Sequence, residues 1–112
     1  MIFGSTPAAD PHSAHDWLAD GAACAIDVRE DDEWNAGRID GAVHIPMRSL
    51  AGRIEELPAG QRLVIVCRSG ARSGQVTRAL VQAGYDAVNL KGGMIAWVAA
   101  DLPIVPADGF IA

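Results

Sequence analysis

The sequence predicts an α/β fold, a mainly parallel central sheet with helices on both faces, and three observations point to it. Runs such as AACAIDV (22–28) and LVIVC (63–67) are apolar over strand length without strict alternation, as expected of strands buried on both sides. Segments with apolar residues at helical spacing separate them. The connections between strands are too long for hairpins and suit crossovers.

In chain order, Asp10 followed by Pro11 reads as an N-cap and a first-turn proline. Ala14, Trp17 and Leu18 then repeat at helical spacing until Gly21, which predicts a helix over 11–20. The strand at 22–28 follows. EDDEWNAG (30–37) opens with four acidic residues and closes at Gly37, suiting a short helix whose N-terminal dipole favours negative charge. GAVHIP (41–46) is a short strand stopped by proline. Leu50, Ile54 and Leu57 predict a helix ended by Pro58. After the strand at 63–67, Val76, Ala79, Leu80 and Ala83 form a helical stripe beginning at about residue 73 and stopped by Gly84. AVNL (87–90) is a further strand, Gly92-Gly93 a turn, and Met94, Trp97 and Val98 a last helical face before Pro103. The tail 101–112 carries no clear pattern, and the whole chain, 1–112, reads as one domain.

Composition bounds the function. With 112 residues, half of them hydrophobic and 21% charged, the chain has the balance of a globular protein able to bury roughly two-thirds of its unfolded surface. A formal charge of −5 argues against nucleic-acid and anionic-membrane partners. MIFGSTPAAD lacks the charged start and apolar stretch of a secretory signal. Cys24 and Cys67 lie outside any CxxC spacing, which argues against a thiolate metal site or a disulfide framework and points to a reducing, cytoplasmic setting.

The chemistry concentrates at CRSGARS (67–73). Cys67 ends a strand, where ligands of open α/β sheets bind. Arg68, Ser69, Gly70, Ala71 and Arg72 follow before the next helix, so the loop is expected to curl its N–H groups around the sulfur, with Gly70 permitting the turn. Two guanidinium groups and a helix N-terminus would lower the thiol pKa and make Cys67 a thiolate nucleophile with no need of a general base. His12, His15 and His44 have no spacing that would make a Cys-His dyad. Cys24, among apolar neighbours, reads as core. The plain alternative for Cys67, a structural buried cysteine, leaves the two arginines and the glycine loop unexplained.

DVREDDEWNAGRIDGAVHIP (27–46), CRSGARS (67–73) and GYDAVNLKGGMIAW (84–97) together resemble the single-domain rhodaneses, sulfurtransferases of rhodanese-like α/β fold, across nearly the whole chain. The resemblance implies that Cys67 accepts sulfur from thiosulfate or another donor as a persulfide, and that residues 68–72 bind the donor, with Arg68 and Arg72 holding its charge. Cyanide or a thiol would then take the sulfur. Asp27 and Arg29, with Ser73, would support the loop, Arg29 being a weaker candidate for substrate contact. Trp34, Gly37, Gly41, His44, Pro46, Gly92, Gly93 and Trp97 match packing and turn positions. No cofactor or metal is implied, and the partners would be a small anionic donor, a thiol or cyanide acceptor, and a protein donor or acceptor in a relay. Phosphatases and arsenate reductases of the same fold resemble one another in a loop with five residues between cysteine and arginine. Here four separate Cys67 from Arg72, and Ser73 stands where that arginine would. A partner-binding module or a persulfide carrier are further alternatives. The acidic residues 31–33 would be a solvated helix start or a docking face.

Overall fold

The computed structural model describes residues 6–112. The expectation about a secretory signal concerns, in part, residues 1–5, which lie outside the described residues. Five strands form one sheet: β1 (Ala8–Ala9), β2 (Ala23–Asp27), β3 (Val43–His44), β4 (Arg62–Val66) and β5 (Ala87–Leu90). Their order is β1-β5-β4-β2-β3, and every pair is parallel. The helices are α1 (Pro11–Ala19), α2 (Asp31–Ala36), α3 (Ala71–Gln82) and α4 (Gly93–Ala99). This is the α/β architecture that the alternating pattern predicts.

Because all strands run the same way, their carboxyl ends share one edge of the sheet, and β4 lies at its centre between β2 and β5. The alternation of side chains along each strand separates two cores. Ala25, Val64, Val66, Val88 and Leu90 point to one side and pack with Ala14, Met94 and Trp97 of α1 and α4. Ile26, Leu63, Ile65 and Ala87 point to the other, against Val76 and Leu80 of α3 and Leu57. Each such large aliphatic side chain, fully buried, contributes about 1.5–3 kcal/mol through removal from water.

Local sequence explains most helix ends. The Asp10 carboxylate accepts the N–H of Ser13 at 2.8 Å, capping α1 as the Asp-Pro pair predicts. Glu30 and Glu33 form a reciprocal capping box at the start of α2. Three elements differ from expectation. The segment after Pro46 is not one α-helix but two 3₁₀ turns, Met47–Ser49 and Ala51–Glu56, broken at Arg53. Gly52 weakens the α-helix there, and the three-residue steps from Met47 to Leu50 and from Ile54 to Leu57 suit the tighter winding. α3 starts at Ala71, two residues earlier than predicted, because Gly70 takes a left-handed conformation (φ 98°) and turns the chain directly into the helix. Its buried stripe is Ser73, Gly74, Val76, Thr77 and Leu80, while Ala79 and Ala83 face solvent. β1 has no counterpart in the sequence reading: two alanines show no alternation, and the strand is defined by pairing, with the N–H of Asn89 donating to Pro7 O at 2.8 Å and that of Lys91 to Ala9 O at 2.9 Å.

The tail is fixed to the body. Arg38 and Val105 exchange two backbone hydrogen bonds of 3.0 and 2.8 Å, and the N–H of Phe110 donates to Ala36 O at 3.0 Å. The indole N–H of Trp97, whose side chain is 1% exposed, donates to Pro103 O at 2.8 Å. Among the described residues, no helix is long and apolar enough to cross a membrane.

Gly93 sits where α4 meets the loop after β4, with φ 61° and no room for a Cβ, which would lie 2.6 Å from the Cys67 carbonyl oxygen. Gly93→Ala is therefore expected to lower stability by about 2–4 kcal/mol, through left-handed strain and this collision. Urea denaturation followed by circular dichroism measures it.

Candidate active site

The chain leaves β4 at Val66 and places Cys67 over the carboxyl edge of the sheet. The two carbonyls that follow are taken by the first turn of α4: the N–H of Met94 donates to Cys67 O at 2.9 Å and that of Ile95 to Arg68 O at 3.1 Å. With its acceptors held on that side, the loop directs its donors at the sulfur. The N–H of Gly70 lies 3.1 Å from Cys67 Sγ, and the Ser73 hydroxyl also lies at 3.1 Å.

Asn89, in β5, braces this arrangement. Its Nδ2 donates to Gly70 O at 3.0 Å, and its Oδ1 is 2.5 Å from Ser73 Oγ. The single Ser73 hydroxyl proton thus faces two acceptors, the amide oxygen and the sulfur. Thr77 Oγ1 donates to Ser73 O at 2.7 Å, so the serine is held from the helix side as well.

Burial pushes the Cys67 thiol pKa up, but the Ser73 hydroxyl and the N–H groups of Ser73, Gly70 and Ser69 outweigh it, and the net shift is downward. The direction agrees with the sequence reading, and the inward N–H groups it expects are among the causes. Hydrogen bonds are the main lowering influences; the Arg72 guanidinium feels the Cys67 charge but is held by Glu33. Arg72 forms a two-pronged pair with Glu33, both N···O distances being 2.8 Å. Arg68 donates through Nε to Ala112 O at 2.9 Å. The cradle also closes on the sulfur instead of leaving it open, since Cys67 has no exposed surface while Arg68, Ser69 and Ala71 are exposed.

Arg29 is fully buried. Its Nε and Nη2 bond Asp27 at 3.0 and 2.8 Å, and its guanidinium also donates to Gly37 O at 2.8 Å and Glu33 O at 3.2 Å, clamping the end of α2 to the sheet. The guanidinium of Arg29 is thus turned into the fold with Asp27 and away from solvent. His44 stacks on Trp34, with centroids 4.7 Å apart and planes 5° from parallel, and its Nε2 lies 2.8 Å from Arg29 O. Gly37 is a close-approach position, where a Cβ would meet Phe110 O at 2.7 Å. Cys24 is half-buried in β2, and burial raises its thiol pKa, as fits a core residue.

Two residues escaped the sequence reading. Glu33 looked like part of a solvated acidic run, but among residues 31–33 it alone reaches across to α3, while Asp31 and Asp32 carry no such bond. The signal for Asn89 is a polar side chain inside the apolar strand AVNL.

The profile of the rhodanese-like domain family matches residues 10–100. The chain belongs to that family. This rhodanese-like domain is 45% identical over 85 residues to a sulfurtransferase of Allochromatium vinosum, covering 75% of the chain and 79% of the relative. Among solved structures, a rhodanese-related protein from Thermoplasma volcanium superposes with a TM-score of 0.83 at 25% identity, covering 88% of the chain and 97% of that protein. A rhodanese-like domain protein from Staphylococcus aureus gives 0.75 at 33% identity, over 81% and 90% of the two chains. The fold expected from the motifs and the family they resemble are both found.

Two outcomes follow from this geometry. Ser73→Ala removes the hydroxyl next to the sulfur, so the pH profile of Cys67 alkylation by iodoacetamide should move to higher pH. The pair between Glu33 and Arg72 lowers the Glu33 pKa from 4.5 to about 2. Its stabilisation is therefore complete above pH 4.5 and lost as pH falls toward 2. The urea midpoint of the native protein should fall more steeply across that window than that of Glu33→Gln.

Proposed function

We propose that this member of the sulfurtransferase family moves sulfane sulfur through a persulfide on Cys67. The observation that carries the reading is the convergence of one thiol and several fixed donors at the centre of the sheet edge, with the thiol pKa lowered. A thiolate so held attacks the terminal sulfur of a donor. With thiosulfate, a new S–S bond forms to Cys67 Sγ, the S–S bond of the donor breaks, and its electron pair leaves on sulfite. The persulfide then stands among the N–H groups of residues 69, 70 and 73, where preorganised dipoles stabilise its negative charge. Attack on the outer sulfur by cyanide or a thiol returns Cys67 as the thiolate. Residues 68–72 supply the loop, and Asp27, Arg29 and Ser73 support it.

Thiosulfate as a donor has the support of a relative named thiosulfate sulfurtransferase GlpE from Glaesserella parasuis, 27% identical over 95 residues, with 84% of the chain and 88% of that protein covered. The same persulfide suits transfer between proteins, and a reducing cytoplasmic setting would keep both cysteines free. The loop argues against phosphoryl transfer. Ser73 takes the place of the arginine in the longer phosphatase loop and turns its hydroxyl to the sulfur, and Arg72 already binds a carboxylate. Because Cys67 is covered, the exposed loop residues must shift as a donor enters.

Intact-mass spectrometry after incubation with thiosulfate or a small persulfide should show one added sulfur atom on the native protein and none on Cys67→Ser. The same variant should lose at least about a thousandfold in thiocyanate formation, since the covalent route is gone. Retained turnover in Cys67→Ser would refute the proposal.

A further inference from the structure

Two of the three guanidinium groups around the catalytic loop are paired with carboxylates. Arg29 is sealed in its pair with Asp27, while Arg68 is exposed, gives Nε to the Ala112 carbonyl and keeps its charge. Arg72, the cation on the first turn of α3, gives one terminal nitrogen to each oxygen of Glu33. Glu33 is itself held in place: Oε1 also accepts the N–H of Glu30 at 3.0 Å, its side chain is 13% exposed, and the pair keeps it ionised throughout the neutral range. An anion seeking Arg72 therefore meets a fixed carboxylate on both terminal nitrogens.

The cost grows with the charge of the donor. At a given distance a dianion is repelled by that carboxylate twice as strongly as a monoanion. Thiosulfate brings two charges to a site that also carries the Cys67 thiolate. A hydropersulfide of a neutral carrier brings at most one.

We infer that Glu33 sets the choice of sulfur donor, neutralising Arg72 so that the site takes sulfur from hydropersulfides in preference to thiosulfate. This rests on the persulfide chemistry proposed for Cys67. In the favoured step, the thiolate bonds to the terminal sulfur of R–S–S–H, the S–S bond of the donor breaks, and its electron pair leaves on R–S⁻. The proton stays with the transferred sulfur. Glu33 touches no reacting atom; it is a positioning residue that acts through Arg72.

Glu33→Gln tests this, because the amide removes the charge and one of the two bonds to Arg72 while its remaining oxygen can still accept the other. Steady-state kinetics would be compared with thiosulfate and with 2-hydroxyethyl persulfide, using Glu30→Gln as a control that removes a charge from the same helix end without touching Arg72. The expected result is a thiosulfate KM lowered roughly tenfold in Glu33→Gln with kcat nearly unchanged. The persulfide KM should move by no more than about threefold, half the free energy for half the charge, and Glu30→Gln should shift neither. Native protein should show the higher kcat/KM with the persulfide, a comparison that does not depend on how well any variant folds. An unchanged or raised thiosulfate KM in Glu33→Gln, an equal fall for both donors, or a native preference for thiosulfate would overturn the inference alone. Failure of the native protein to load sulfur from either donor would overturn the function with it.

Discussion

A short peptide loop with its acceptors tied on one side and its donors free on the other is the constraint on which this structure turns. The two amides of α4 that bind Cys67 O and Arg68 O leave the N–H of Gly70 to face the sulfur. That contact demands that α4 approach very closely, and Gly93 allows it by lacking a side chain where one would strike the loop backbone. Asn89 then holds the Gly70 carbonyl from a neighbouring strand. Three elements distant in sequence therefore determine the surroundings of one atom.

The ionic groups serve a second layer of organisation. Arg29 would be costly to bury without partners, and it has them in the Asp27 carboxylate and two backbone carbonyls. By binding Gly37 O and Glu33 O it positions α2, and α2 in turn carries the carboxylate that meets Arg72. The two ion pairs form a chain from the interior of the sheet to the rim of the loop. Acidity at the sulfur and charge at the rim are thereby governed by different residues, the first by Ser73 and amides, the second by Glu33.

What the sequence revealed follows from the range of the forces involved. β5 was legible to the residue, and α1 to within one, because local apolar spacing, an Asp-Pro cap and bounding glycines specify them. The position of Cys67 at a strand exit was equally local. The start of α3 was not, since it depends on the left-handed Gly70, whose carbonyl is held by Asn89 from β5. Glu33 was hidden because its partner lies 39 positions away, and an acidic residue near a helix start already has a sufficient local explanation. Arg72 was read as a free cation for the complementary reason: nothing near it in sequence neutralises it. β1 and the seating of the tail are tertiary facts throughout, consisting of backbone bonds to distant segments.

Trp97 gives the tail an optical consequence. Its indole is sealed against solvent and bonded to the carbonyl of Pro103, so its share of the fluorescence reports whether that segment is seated.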